Sequence, residues 1–369
     1  MDGRILVAGG GIAGLAVAQA LYQRGIPAVV VDRLAGPPDA GLAINLPGNA
    51  IQALGALGFA DAVASVGTPV RRREYRTAKG KVAFSVDEDA FWGPAARPRC
   101  VRRADLLAIL GTDLPADTVR WNSPVSAVQP AGEAVVGGET DTWDFVVGAD
   151  GVRSVTRAAV LDDVAPQASL LSAASWRFMT ANPGVDCWTV WTGARSTILL
   201  LPVDKDIVYG YASATRGGAV DTDPSWLATA FAGFADPVPG VIAAVLDEPL
   251  SLYHSPVEEV RIPAWSRDRV VLVGDAAHAT APIWAQGAAL ALEDALVLSS
   301  LLAATDDWDG VGASYESQRR SRVTHVQTMT DRLSRAAGLP PWLRNTILPF
   351  IGPRTYRETY EPLKASVLG

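Results

Sequence analysis

Short apolar runs and helical repeats alternate along the first third of the chain. Arg4 to Ala8 is a run of strand length, Leu15 to Arg24 carries alanine and leucine at helical spacing up to a stop at Gly25, and Ala28 to Val31 is a second strand. Gly41 to Ala50 reads as a loop with an Asn-capped helix over Ile51 to Leu57, ended by Gly58. Arg71 to Val86 mixes alternation with charge and predicts exposed strands. Val101 to Leu107 opens another helix, and Trp143 to Val147 is a third strand running into a turn. Between Leu170 and Ile262 the segments Cys187 to Thr192, Thr197 to Leu201 and Ile207 to Tyr211 predict an antiparallel sheet. A period of two there puts Ile207, Tyr209 and Tyr211 on one face, and the helix signal stays weak until about Trp226. Val270 to Val273 has the length and type of a buried parallel strand. Gly274-Asp275 ends it, Pro282 breaks the chain again, and Ala285-Gln286-Gly287 starts a helix to Leu302 that carries Glu293 and Asp294. From Trp308 onward the pattern reads as helices broken by Pro340-Pro341 and Pro349.

The junctions between these elements carry the chemistry. The first strand runs into Gly9-Gly10-Gly11-Ile12-Ala13-Gly14, then the helix, then the second strand ending at Asp32. This strand, G-x-G-x-x-G, helix, strand and acid order is that of dinucleotide sites. Gly9 allows the tight turn, Gly11 lets the backbone approach a pyrophosphate, and Gly14 lets the helix pack closely on the strand. Asp32 can accept from a ribose hydroxyl. Asp150 and Asp275 likewise sit just past strand ends, each beside a glycine. The helix start at Gln286-Gly287 suits an anionic ring or phosphate.

Composition narrows the classes. The 369 residues can hold two domains, or one large domain with insertions, and nearly half are apolar. The net charge of −7, from 32 basic and 39 acidic residues, argues against bulk nucleic-acid binding. The arginines cluster nonetheless, at Arg71–Arg73 with Arg76, at Arg97, Arg99, Arg102 and Arg103, and at Arg319, Arg320 and Arg322. Such clusters fit a small anionic ligand or a solvated face. Cys100 and Cys187 have no metal spacing and form no disulfide framework, and His254, His278 and His325 are scattered, so no metal site is expected. Met1 and Asp2 lead directly into a strand, and no apolar run of about 20 residues lacks glycine punctuation. A cytoplasmic protein without a membrane span is expected.

Taken in register, Gly9 to Gly14, Gly148-Ala149-Asp150-Gly151 and Gly274-Asp275 resemble the three motifs of the single-component, or group A, FAD-dependent monooxygenases. That family includes the para-hydroxybenzoate and salicylate hydroxylases. Arg103-Ala104-Asp105-Leu106 resembles the family's flavin-contacting helix, and Tyr315-Glu316 with Arg319, Arg320 and Arg322 its C-terminal helix. The resemblance implies an α/β fold with three parts. A discontinuous Rossmann-like FAD domain would take 1–70, 100–162 and 268–310, an antiparallel substrate sheet 71–99 and 163–267, and a C-terminal helical segment 311–369. It implies FAD contacts from Gly9, Gly11, Ile12, Ala13 and Gly14 to the pyrophosphate and from Asp32 and Arg33 to the adenosine. Arg103 and Asp275, with Gly274, would reach the ribityl and phosphate region, Asp150 would hold its turn, and Pro282, Gln286, Gly287 and Ala288 would lie against the isoalloxazine. One departure stands out: Ala285 occupies the place of the family's usual first glycine in Gly-Gln-Gly and follows the bulky Trp284. The methyl group either takes a negative φ or crowds the flavin edge.

The activity implied is hydroxylation of a small aromatic molecule, phenolic or polycyclic, through a flavin C4a-hydroperoxide. NADPH or NADH would serve as transient electron donor and molecular oxygen as co-substrate. No second G-x-G-x-x-G is present, so no separate nicotinamide domain is expected. Arg177, Arg195 and Trp284 are the candidate substrate contacts, and Tyr209, Tyr211 and His254 the candidate acid–base groups. Each can equally be an ordinary sheet or core residue. Three other readings are an FAD reductase or dehydrogenase without oxygen insertion, a flavin-dependent halogenase, and a non-redox FAD-binding protein. The halogenase reading is disfavoured by the lack of a Trp-x-Trp-x-Ile-Pro run. A monomer and a homodimer are both compatible with the sequence.

Overall fold

Ile5–Ala8 is buried at all of its positions, as a continuous apolar run must be when helices cover both faces of a parallel sheet. It is an inner strand of a six-stranded sheet ordered Ser266–Arg267, Val270–Leu272, Phe145–Gly148, Ile5–Ala8, Ala28–Val31, Val119–Arg120. The computed structural model describes residues 4–37, 42–161, 169–172, 174–214, 223–248, 252–337 and 339–368. The pairings are parallel except at Ser266–Arg267, so the carboxyl ends of the Ile5–Ala8, Phe145–Gly148 and Val270–Leu272 strands come to one edge. The three Gly–Asp junctions follow from those ends. The helix Ile12–Tyr22 packs on Gly287–Ala303, which brings the first and third junctions together.

A seven-stranded sheet lies beside this domain. Its order is Tyr253–His254, Ala174–Ala181, Ile207–Ala214, Ser196–Pro202, Trp188–Thr192, Arg72–Thr77, Val82–Asp87, and it is antiparallel except for the parallel pairing of Trp188–Thr192 with Arg72–Thr77. The segment 71–99 thus contributes two strands to it, whereas Ser266–Arg267, before residue 268, belongs to the six-stranded sheet. The alternation reads cleanly. Trp176, Phe178, Ile198, Leu200, Val208 and Ala212 pack on the helices Trp226–Phe231 and Val238–Asp247. The other face carries Trp188, Val190, Leu201 and Tyr209, with Tyr75, Met179, Leu199, Ile207 and Tyr211 beside them. It closes on Ala43, Val70 and Cys100 of a small three-stranded sheet made of Ala43–Leu46, Arg99–Arg102 and Thr68–Pro69.

Three expectations change. The helix Gly48–Ala56 has Pro47 at its N-cap and no side-chain cap, so Asn49 is not a cap; its amide is used elsewhere. The strands Arg72–Thr77 and Val82–Asp87 are not simply exposed, because Arg73 and Glu74 are buried. Pro340-Pro341 does separate two helices, Val311–Ala337 and Pro341–Tyr360, but Pro349 and Pro353 sit inside the second. Both prolines are on its exposed side, where water can bond the carbonyls they leave free. Among the described residues no helix is long and apolar enough to cross a membrane.

Candidate active site

The first junction is shaped by contact between backbones. A Cβ on Gly14 would stand 1.8 Å from the Gly9 carbonyl oxygen, so only glycine lets the helix approach this closely. Gly11 has open space where a side chain would be. The Gly10 N–H donates to Asp32 Oδ2 at 2.7 Å, and Asp32 Oδ1 accepts from the Leu34 N–H at 2.9 Å. Asp32 therefore fixes the glycine loop with part of its carboxylate. Arg33 follows it and is exposed.

Asp150 is chiefly a turn-former. Its Oδ2 accepts from the Val155 N–H, the Thr156 N–H and the Thr156 hydroxyl, at 2.8, 3.0 and 3.0 Å. Ser154 Oγ accepts from the Arg157 N–H, and the buried Arg157 side chain donates to the carbonyls of Ala276 at 2.9 Å and Val152 at 3.0 Å. The second and third junctions are thus joined by one guanidinium. Burial pulls the Arg157 pKa down, and the charge of Asp150 opposes this.

At the third junction Gly274 takes φ +57°, with its backbone against Ala13, and its N–H donates to Asp294 Oδ2 at 2.9 Å. Asp275 is exposed just beyond and lies beside the start of the helix Gly287–Ala303. The first N–H groups of that helix have no intrahelical acceptor. A buried polar network fixes the turn before it. Gln286 and Asn49 pair through both amides, at 3.0 and 3.1 Å, and Asn49 also donates to Glu293 at 2.8 Å. Arg319 pairs with Glu293 at 2.9 Å and Asp294 at 2.8 Å, Arg322 pairs with Glu293, and His278 Nε2 lies 2.7 Å from Asp294. Burial alone would raise the Asp294 pKa. The charges of His278 and Arg319, with their hydrogen bonds, override it and hold the carboxyl well below the usual range.

Ala285 does not take a negative φ: it adopts φ +53°, ψ +36°, the left-handed conformation, at the end of a tight turn Pro282–Trp284. Its N–H donates to the Pro282 carbonyl at 3.0 Å. Trp284 is buried, edge-on to Tyr360 with ring centroids 5.9 Å apart.

The candidate substrate residues divide by location. Arg177 pairs with Tyr211 in register, and Tyr209 with Met179, on the inner face of the large sheet. Burial pushes the Tyr209 phenol up to about 12 and raises that of Tyr211. Both phenols are less acidic than a solvent-exposed tyrosine and share the inner face of the large sheet. His254 pairs with Trp176, and the two rings meet at a tilt with centroids 5.2 Å apart. Trp176 belongs to the opposite face, so His254 is not brought together with Tyr209 and Tyr211. Arg195 is exposed in the turn between Trp188–Thr192 and Ser196–Pro202, next to Gly193, which packs on Phe234. It too is apart from the inner face.

Arg103, at the start of the helix Arg103–Gly111, has a buried Nε without a partner among the described residues. Burial pulls its pKa down, Asp275 opposes this, and Arg177 adds to the lowering. Arg103, Asp275 and Arg177 are therefore electrostatic neighbours between the two sheets. A half-buried guanidinium with an unpartnered Nε, open space at Gly11 and the free helix-start N–H groups at Gly287 fit the phosphates and polar chain of FAD. Tyr360 carries no local motif, Asn49 reads locally only as a helix cap, and Arg73 reads only as one of a cluster of arginines.

Comparisons agree with this geometry. The sequence matches the FAD binding domain family over residues 2–332. It is 30% identical over 337 residues to the FAD-dependent urate hydroxylase of Klebsiella pneumoniae, covering 87% of this chain and 86% of that protein. It is 28% identical to the 2-heptyl-3-hydroxy-4(1H)-quinolone synthase of Pseudomonas aeruginosa, covering 98% of both. The crystal structure of Klebsiella pneumoniae HpxO complexed with FAD and uric acid superposes with a TM-score of 0.83 at 26% identity, covering 99% of this chain and 96% of that one. The chain belongs to the FAD binding domain family and is a single-component FAD-dependent monooxygenase.

Proposed function

We propose that this enzyme hydroxylates a small, planar, electron-rich aromatic carrying an acidic oxygen, with NAD(P)H as reductant and dioxygen as co-substrate. The observation that carries the reading is Arg177. Its buried Nε has no partner among the described residues, it lies on the aromatic inner face beside Tyr211, and it is an electrostatic neighbour of Arg103, as Asp275 is. A buried guanidinium favours an anionic oxygen or carboxylate, and an aromatic wall favours a flat ring. Relatives named for urate, 6-hydroxynicotinate and 3-amino-4-hydroxybenzoate support this class.

FAD would be held by Gly11, Asp32, Arg103, Asp275 and the helix start at Gly287, and it would supply the hydride acceptor and the activation of oxygen. The chain supplies the rest. Arg177 draws the substrate oxygen toward its anionic form, which makes the ring a better nucleophile. Tyr209 and Tyr211 donate hydrogen bonds, and Leu199, Leu201 and Val190 exclude water. Positive potential at the Gly287 helix start favours negative charge on the flavin ring.

The test is a panel of hydroxylated and carboxylated aromatics with purified holoenzyme, following NADH and NADPH oxidation and the transfer of label from isotopically enriched dioxygen into product. Labelled product from anionic aromatics is the expected result. Nicotinamide oxidation without labelled product from any of them overturns the reading and favours a dehydrogenase.

A further inference from the structure

The C-terminal helix Pro341–Tyr360 reaches the flavin-facing turn through a second buried network. Tyr360 donates to the Trp284 carbonyl at 2.7 Å and accepts from Arg73 Nη1 at 3.2 Å. Arg73 is ion-paired with Glu88, with both side chains fully buried. Glu88 accepts from the Tyr356 hydroxyl at 2.6 Å, which accepts from Trp92 Nε1 at 3.2 Å. Arg73 also lies over the Trp188 ring, at 4.9 Å, on the inner face of the large sheet. These groups come from five separate stretches of sequence, and apart from Trp284 none lies beside a flavin-binding motif.

The network ends where the backbone is strained. A left-handed alanine costs energy that glycine does not, and it persists only when its surroundings over-determine it. The Trp284–Ala285 peptide is held on one side by Tyr360 and on the other by the Gln286–Asn49 amide pair. Without the Tyr360 hydroxyl, Ala285 can relax to negative φ, and this would reorient the N–H groups that begin the Gly287 helix.

We propose that Tyr360, Arg73 and Glu88 are positioning residues that hold the Trp284–Ala285 turn in its flavin-binding conformation, so that the C-terminal helix is part of the cofactor site. The proposal does not depend on which aromatic is oxidised.

The experiment is a double-mutant cycle on FAD affinity, read by fluorescence quenching as apo-protein is titrated with FAD, with Tyr360→Phe and Ala285→Gly. Tyr360→Phe should weaken FAD binding about tenfold, the worth of one buried hydrogen bond to an ordered group. Ala285→Gly should change FAD affinity by less than Tyr360→Phe does, and in the double variant it should restore most of the loss, because glycine keeps the left-handed turn unaided. The visible absorption band of bound FAD should shift in Tyr360→Phe and return in the double variant. Arg354→Ala, which removes an exposed pair with Glu358 on the same helix, should change neither readout. Should Tyr360→Phe fail to fold, the same cycle run with Glu88→Gln serves in its place. Wild-type FAD affinity in Tyr360→Phe, or additive effects with Ala285→Gly, would overturn the proposal.

Discussion

Arg157 Nε donates to the carbonyl of Ala276 at 2.9 Å, and this bond ties the segment after the Phe145–Gly148 strand to the segment after Val270–Leu272. The two residues are 119 positions apart in sequence. Arg157→Ala leaves the Ala276 and Val152 carbonyls without this donor and should cost about 3 kcal/mol, the upper range for hydrogen bonds to a charged group. Thermal unfolding of the holo- and apo-proteins checks this; the holo-protein should lose more, because Asp275 is displaced as well.

Two glycines in helices separate close approach from mere flexibility. Gly14→Ala puts a methyl 1.8 Å from the Gly9 oxygen. It should cost about 3 kcal/mol and abolish retention of FAD through purification. Gly55→Ala, in the helix Gly48–Ala56, meets only the Ala60 Cβ, at 4.0 Å. That change should stabilise the protein by about 0.5–1 kcal/mol, because alanine is the better helix former. Denaturant midpoints for the pair should move in opposite directions.

Replacing Arg177 tests the substrate class. Arg177→Met keeps much of the side-chain volume and removes the charge. KM for an anionic aromatic should rise by about tenfold or more, while a neutral analogue is little affected. Arg177→Lys should restore only part of the loss, because a point charge replaces a planar donor. Steady-state kinetics with a carboxylate and its amide decide it; equal losses for both would sink the anionic reading.

Asp294 sets an acid limit. Its folded pKa lies below its unfolded value, so its stabilising contribution is full above the unfolded pKa of about 3.9 and is lost as pH falls below that. Wild type should be more stable than Asp294→Asn by a constant amount from about pH 5 to 8, with the gap closing below about pH 4. The Asn variant removes one of the two buried carboxylates that face Arg319 and leaves it with Glu293, so the plateau should be about 3 kcal/mol. Urea unfolding across this pH range is the measurement.

Local pattern carried much of the molecule. The Gly9–Gly14 loop, its strands and its helix are readable because a glycine requirement is a property of a few neighbouring backbones. The shared face of Ile207, Tyr209 and Tyr211 is readable because alternation in a strand is geometric. His254 was not placed by this logic, since which face a short edge strand presents depends on its register with Trp176. The Asn49 side chain reads locally as a cap and is instead spent on Gln286 and Glu293, 237 and 244 residues away.

The sequence by itself determined the FAD-binding class, through three short junctions whose glycines and carboxylates meet local steric and hydrogen-bonding demands. Only the tertiary structure decided how those junctions are held. Arg157, Asp294, Arg319, Arg73 and Tyr360 act across distances in the chain that no motif spans. A buried charge is tolerable only where partners from elsewhere in the fold satisfy it. The left-handed Ala285 is likewise a tertiary outcome: its neighbours in sequence do not require that conformation, while the groups packed around Trp284 and Gln286 do.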